Sequence, residues 1–178
     1  MKKVFLILLS VGIFAQETET QNYEVIKSMN NFEIRFYPSV VKAKVTSDRN
    51  FAKLFRYISG NNEGSEKIAM TSPVYMTREG NKNTMEFVLP SKYSIQNASQ
   101  PLDKEIQIYS TKPGYYAAIQ FGGYSNSEKV KKNHEVLLQK LAENGYKTTQ
   151  KLPISLTYNS PYKVFNRRNE VLIQIEYP

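Results

Sequence analysis

At 178 residues the chain is the size of one domain, able to bury about 70% of its unfolded surface around a single core. It has no cysteine, which excludes disulfides, thiolate metal centres, haem attached through CxxCH and cysteine nucleophiles. The formal net charge of +8 favours anionic partners, but the basic residues are scattered apart from Lys129, Lys131, Lys132 and Arg167, Arg168, so each group reads first as solvated surface and nucleic acid is not expected.

Residues 1–15, MKKVFLILLSVGIFA, place Lys2 and Lys3 before an apolar run at 4–14 and a small residue, Ala15. The run falls short of the ~20 residues a bilayer needs, so it reads as a secretory signal peptide and predicts an exported protein, periplasmic or secreted. Residues 16–22 are polar and are expected to form a mobile linker, leaving 23–178 as the domain.

From Tyr23 the pattern is strand-like. YEVIKSM, the turn Asn30-Asn31 and FEIRFYPS, with Phe32, Ile34 and Phe36 alternating against Glu33, Arg35 and Tyr37, predict a hairpin. A third strand, VVKAKVTS, leads to Asp48 as candidate N-cap of a short helix on which Phe51, Leu54, Phe55 and Ile58 fall at i, i+3, i+4 and i+7 and which Gly60 ends.

The next strand, KIAMTSPVYM, alternates Ile68, Met70, Ser72, Val74 and Met76 against Lys67, Ala69, Thr71, Pro73 and Tyr75. Pro73 lacks the N–H of a central strand, so the segment should run along an edge, bulge, or leave the sheet at Ser72. TMEFVLP follows as a strand, and then a loop at 91–104 with little periodicity.

The second half repeats the order. Strands IQIYS and YYAAIQFGG flank the turn Lys112-Pro113-Gly114, and a longer helix begins near Ser125, which stands three residues before Glu128 as in a capping box. Val130, His134, Leu137, Leu138 and Leu141 form its apolar stripe, Asn144-Gly145 stops it, and LPISLTYNS and VLIQIEY close the chain as strands. The expected fold is therefore α+β: two β-α-β-β units forming a curved, mostly antiparallel barrel flanked by two helices. Such a sheet leaves a cleft between helix and strands, where small ligands bind.

Four blocks in order, YEVIKSMNNFEIRFYPS, KIAMTSPV, IQFGGYSNSEKV and NRRNEVLIQI, resemble the SOUL haem-binding proteins across about residues 23–175. The resemblance implies non-catalytic binding of haem or a related tetrapyrrole in a shallow apolar groove, flanked by the first helix and by the loop before the last strand. Buffering, scavenging or delivery outside the cytoplasm would be the use. Carried over, the groove wall is Phe51, Leu54 and Phe55. Arg56 and Lys163 meet the propionates, and Tyr158 stands near the start of the facing loop. An aromatic groove ending in cations is also what a flat porphyrin with two propionates needs.

No metal ligand is assigned. One branch of the family carries a histidine in a block resembling EIRHY; here the block reads EIRFY, and Phe36 cannot ligate iron. The only histidine, His134, reads as a partly buried structural imidazole on the second helix. Met70, Met76, Tyr158 and Tyr162 have the chemistry to ligate haem, though Met70 and Met76 more simply fill core. Arg167 and Arg168 read as structural, pairing with carboxylates such as Glu170.

Two alternatives remain at this point. One is a binding module for another apolar anion or for a protein partner, which the missing histidine favours; a monomer is expected in the leading reading. The other is carboxylate catalysis by Glu33, Glu86 or Glu176 on the polar sides of their strands, for which solvent exposure is the simpler reading. No enzyme is expected.

Overall fold

The computed structural model describes residues 18–150 and 152–177, so the expected signal peptide and residues 16 and 17 lie outside the described residues. Residues 18–22, read from sequence as linker, are docked. Strand β1 (Glu19–Thr20) pairs in parallel with β5 (Thr71–Ser72), the Gln21 N–H donates to Ser72 O at 2.8 Å, and the Tyr75 hydroxyl donates to Gln21 Oε1 at 2.6 Å. The polar side chains that suggested a linker serve instead as partners for the TSP segment.

The remaining strands are β2 (Glu24–Ser28), β3 (Glu33–Tyr37), β4 (Val41–Thr46), β6 (Val74–Glu79), β7 (Lys82–Val88), β8 (Gln107–Ser110), β9 (Gly114–Phe121), β10 (Ile154–Thr157) and β11 (Asn169–Ile175). They form one sheet in the order β2-β3-β9-β11-β10-β6-β7-β4-β8, every neighbouring pair antiparallel. The sheet curls into a half-barrel, with β2 and β8 as its two open edges. Helices α1 (Asn50–Ile58) and α2 (Ser127–Glu143) flank it, which makes the fold α+β as expected.

The duplication is visible in the order itself. In each half the strand before the helix (β4, β9) pairs with the half's last strand (β7, β11), which pairs with the strand after the helix (β6, β10), and β6 and β10 meet at the centre. The preceding strands are exchanged: β3 lies against β9 of the second half, and β8 against β4 of the first.

Both helices pack on one sheet face. Beneath α1, Leu54, Tyr57 and Ile58 meet Val41, Ala43, Val45 and Phe87; beneath α2, Leu137 and Leu141 meet Ile34, Ala117, Val171 and Ile173. Pro73 falls between β5 and β6, and the Ser72–Pro73 peptide is cis. Of the three readings of KIAMTSPVYM, departure from the sheet at Ser72 is the one realised, since β6 itself is a central strand. Thr71 Oγ1 donates to Val88 O at 2.6 Å and fixes the bend.

Two helix starts differ from expectation. Asp48 does not cap α1; Arg49 occupies that position without a side-chain hydrogen bond. The cap of α2 is Asn126 rather than Ser125, its Oδ1 accepting from the Lys129 N–H at 2.9 Å. A one-residue shift moves a cap without changing the apolar stripe that dictates the helix.

Candidate functional site

α1 packs on β4 and β7 while α2 packs on β9 and β11, so the central strands β6 and β10 face the space between the helices. That space is a cleft of about 640 Å³, within the few hundred to a thousand Å³ typical of small-ligand sites. Each wall has a sequence reason. Asn50, at the start of α1, donates from Nδ2 to Asn83 O at 2.8 Å and ties that helix to the β6–β7 hairpin. The Asn126 cap sets the start of α2 on the other side. The register Ser155↔Met76 places both residues on the floor.

The apolar part of the lining comes from Met76, Met85, Val130, Leu152 and Pro153. Two cations stand among the lining residues, Arg78 and Lys131. Arg78 donates to Gly80 O at 3.2 Å and has no carboxylate partner among the described residues; Lys131 is exposed and 3.9 Å from Glu135. An apolar space with cations available suits a flat or aliphatic ligand carrying carboxylates.

Among the described residues four buried side-chain polar atoms lack a hydrogen-bond partner: Asn50 Oδ1, His134 Nε2, Ser155 Oγ and Arg167 Nε. The first three belong to residues of this one cleft. Leaving such an atom unsatisfied costs about 1–3 kcal/mol. Burial also holds the His134 imidazole below its ordinary pKa, against the opposing pull of Glu135. His134 is thus partly buried, as read from sequence, but it has no structural partner at Nε2.

The sequence-predicted site residues divide. Phe51 and Phe55 are half-exposed and stacked, ring centroids 5.7 Å apart, as an aromatic platform on the outer side of α1. Leu54 is 0% exposed in the core, so it supports that platform from behind and offers no surface of its own. The buried arc of the helix runs through Leu54, Tyr57 and Ile58 because the Tyr57 hydroxyl finds Ser99 O at 2.8 Å. Arg56 is exposed, 4.0 Å from Asp103.

Tyr158 is not beside Phe51. It packs with Tyr75, Leu156 and Leu172 on the sheet face opposite the helices, donating to Glu170 Oε2 at 2.8 Å. Lys163 is exposed in the loop at 158–168, together with Tyr162 and Phe165, 91% and 81% accessible. Of the candidate haem ligands weighed from sequence, Met70 packs against the core and Met76 lines the cleft.

The face opposite the helices holds a network that sequence reading largely missed. Arg35, 4% exposed, donates to both oxygens of Glu170 at 2.7 and 3.1 Å and to Glu33 at 2.7 Å. Arg168 donates to Glu170 Oε1 at 2.7 Å, the pairing expected for it, and its guanidinium lies 4.0 Å from the Tyr158 ring centroid. Burial alone would push the Glu170 carboxyl up, but the hydrogen bonds and charges of Arg35 and Arg168 hold it below its ordinary value. Nearby, Lys42 Nζ donates to Glu86 at 2.9 Å and sits 3.2 Å from the Tyr75 ring centroid; burial lowers its pKa more than Glu86 raises it.

The sequence signals for this network were the expected pairing of Arg168 with Glu170 and the place of Arg35, Tyr37 and Tyr75 on the polar sides of their strands. Of the carboxylates weighed as catalysts, Glu33 and Glu86 are thus paired with cations, and Glu176 is exposed. Among the described residues no group of three or more His, Cys, Asp or Glu side chains is placed to hold a metal ion, and no helix is long and apolar enough to cross a membrane.

The arrangement is an α+β half-barrel with a cleft between its helices. Its fold is similar to that of the EcmrR C-terminal domain, with TM-score 0.58 and 14% identity over 84% of this chain and 100% of that domain. It is likewise similar to a hydrolase from Listeria innocua, with TM-score 0.59 and 8% identity over 85% of this chain and 94% of that one. The chain belongs to the SOUL heme-binding protein family, whose model matches residues 18–174. It is 30% identical to heme-binding protein 2 of Homo sapiens over 185 aligned residues, 92% of this chain and 90% of the human protein. It is 28% identical to heme-binding protein 1 of Xenopus laevis over 132 residues, 70% of this chain and 68% of that protein.

Proposed function

We propose that the protein binds haem or a related amphipathic tetrapyrrole in the cleft between α1 and α2, without catalysing a reaction on it. The observation that carries this reading is the cleft itself: about 640 Å³, apolar along Met76, Met85 and Val130, with Arg78 and Lys131 among its lining residues for two propionates. The names of the two relatives support the ligand class. The unpartnered nitrogen of His134 fits the same group, because an imidazole is a common haem ligand. When bound, haem supplies an iron able to take axial ligands. The chain supplies an apolar surface and two cations.

A titration of purified protein with hemin and with iron-free protoporphyrin tests the reading. Saturable one-to-one binding of both is expected, weakened by Val130→Glu and by Arg78→Glu. If Phe55→Glu, Arg56→Glu or Lys163→Glu weakens binding while the cleft variants do not, the ligand sits on the outer platform of α1 instead.

The basic start and apolar run of residues 1–15 support export, and with it buffering, scavenging or delivery of the ligand outside the cytoplasm. A monomer with no role on nucleic acid completes the proposal. Cell fractionation with N-terminal sequencing is expected to find the mature chain outside the cytoplasm, beginning near Gln16. A second reading, a protein-binding module, is favoured by the exposed Tyr162, Val164 and Phe165 of the loop at 158–168.

A further inference from the structure

Resting on the cleft as the tetrapyrrole site, we infer that His134 supplies the axial imidazole to the iron of a bound haem. The branch that carries EIRHY has its histidine where Phe36 stands here, and His134 is the single histidine of the chain. The fold brings the one histidine into the cleft by a different route. His134 is one turn beyond Val130 on α2, and both residues line the space.

Two observations converge on coordination rather than structural duty. First, Nε2 is buried and makes no hydrogen bond, so nothing in the fold uses its lone pair. A histidine kept for structure normally spends both ring nitrogens on partners, because each unsatisfied one is costly. Second, His134 lines the same cleft as the apolar surface and cations a porphyrin requires.

Coordination would form one N–Fe bond from the Nε2 lone pair and release the water or hydroxide that hemin carries in solution, with no change of oxidation state and no proton released from that nitrogen. Bringing Nε2 to the cleft requires rotation about χ2, a soft torsion for an imidazole. α2 itself need not move.

The test compares wild type, His134→Ala and Val130→Glu in titrations with hemin and with iron-free protoporphyrin, reading the Soret band and the ferric electron paramagnetic resonance spectrum. Loss of an outer-shell partner to a metal-bound histidine already costs about 10–100-fold, so His134→Ala should weaken hemin by at least about tenfold. It should leave iron-free protoporphyrin unchanged, and free imidazole added to the variant should restore the wild-type spectrum. Unchanged hemin spectrum and affinity in His134→Ala would overturn the assignment. So would an equal loss of both ligands, which would make His134 a packing residue. Failure of Val130→Glu to affect iron-free protoporphyrin would overturn the cleft reading instead, so the two failures are distinguishable.

Discussion

His134 and Glu170 both titrate below their ordinary values, for different reasons, and they place pH sensitivity in two separate windows. For His134 the folded value is lower, so the unfolded chain takes up a proton first as pH falls through about 6.5, and stability declines below that pH until the folded imidazole also titrates. The urea midpoint of wild type should therefore fall between pH 7.5 and 5.5 by more than that of His134→Gln. A midpoint that rises on acidification would contradict the burial argument. For Glu170 the ion pairs contribute stability above the ordinary carboxylate range and lose it as pH falls through the lower folded value. Glu170→Gln should cost about 3–5 kcal/mol at neutral pH, because Arg35 and Arg168 lose the buried carboxylate they share and Arg35 keeps only the partly exposed Glu33. The variant should also lose part of the acid sensitivity that wild type shows in denaturant titrations below pH 4.

At the scale of elements, α1 has a core side and a solvent side one residue apart. Leu54 is fully buried and Phe55 half-exposed, so Leu54→Ala should cost about 2–5 kcal/mol while Phe55→Ala stays within about 0.5 kcal/mol. Chemical denaturation of the two variants checks the contrast, and comparable losses would mean that the outer platform is structural. On α2, Asn126→Ala removes the side-chain acceptor for the Lys129 N–H and should cost about 1 kcal/mol. Asn126→Asp should retain most of it, since a carboxylate accepts the same bond and favours a helix N-terminus.

At the scale of the whole molecule, the exchange of β3 and β8 ties the halves together. Each half needs a strand from the other to cover β9 or β4, and β6 pairs with β10 at the centre. Neither half can leave without breaking all three pairings, so a single cooperative transition is expected. Far-ultraviolet circular dichroism and the fluorescence of the 13 tyrosines should give coincident denaturation curves. Two separated transitions would show that the halves are independent.

The alternation of Phe32 with Ile34, the stripe through Leu137 and Leu141 and the stop at Asn144-Gly145 determined strands, helices and their order, because periodicity reports which face of an element is buried. The duplicated β-α-β-β plan and the family blocks were equally legible, and the pairing of Arg168 with Glu170 was anticipated. What sequence left open was which elements become neighbours. The exchange of β3 and β8, the burial of Arg35 and Lys42 and the placement of Tyr158 on the face away from Phe51 depend on contacts between residues far apart in the chain. Local patterns say nothing of such contacts. The cleft is of the same kind: it exists because neither helix covers β6 and β10, and among its lining residues is the chain's one histidine, which periodicity alone placed on an apolar stripe.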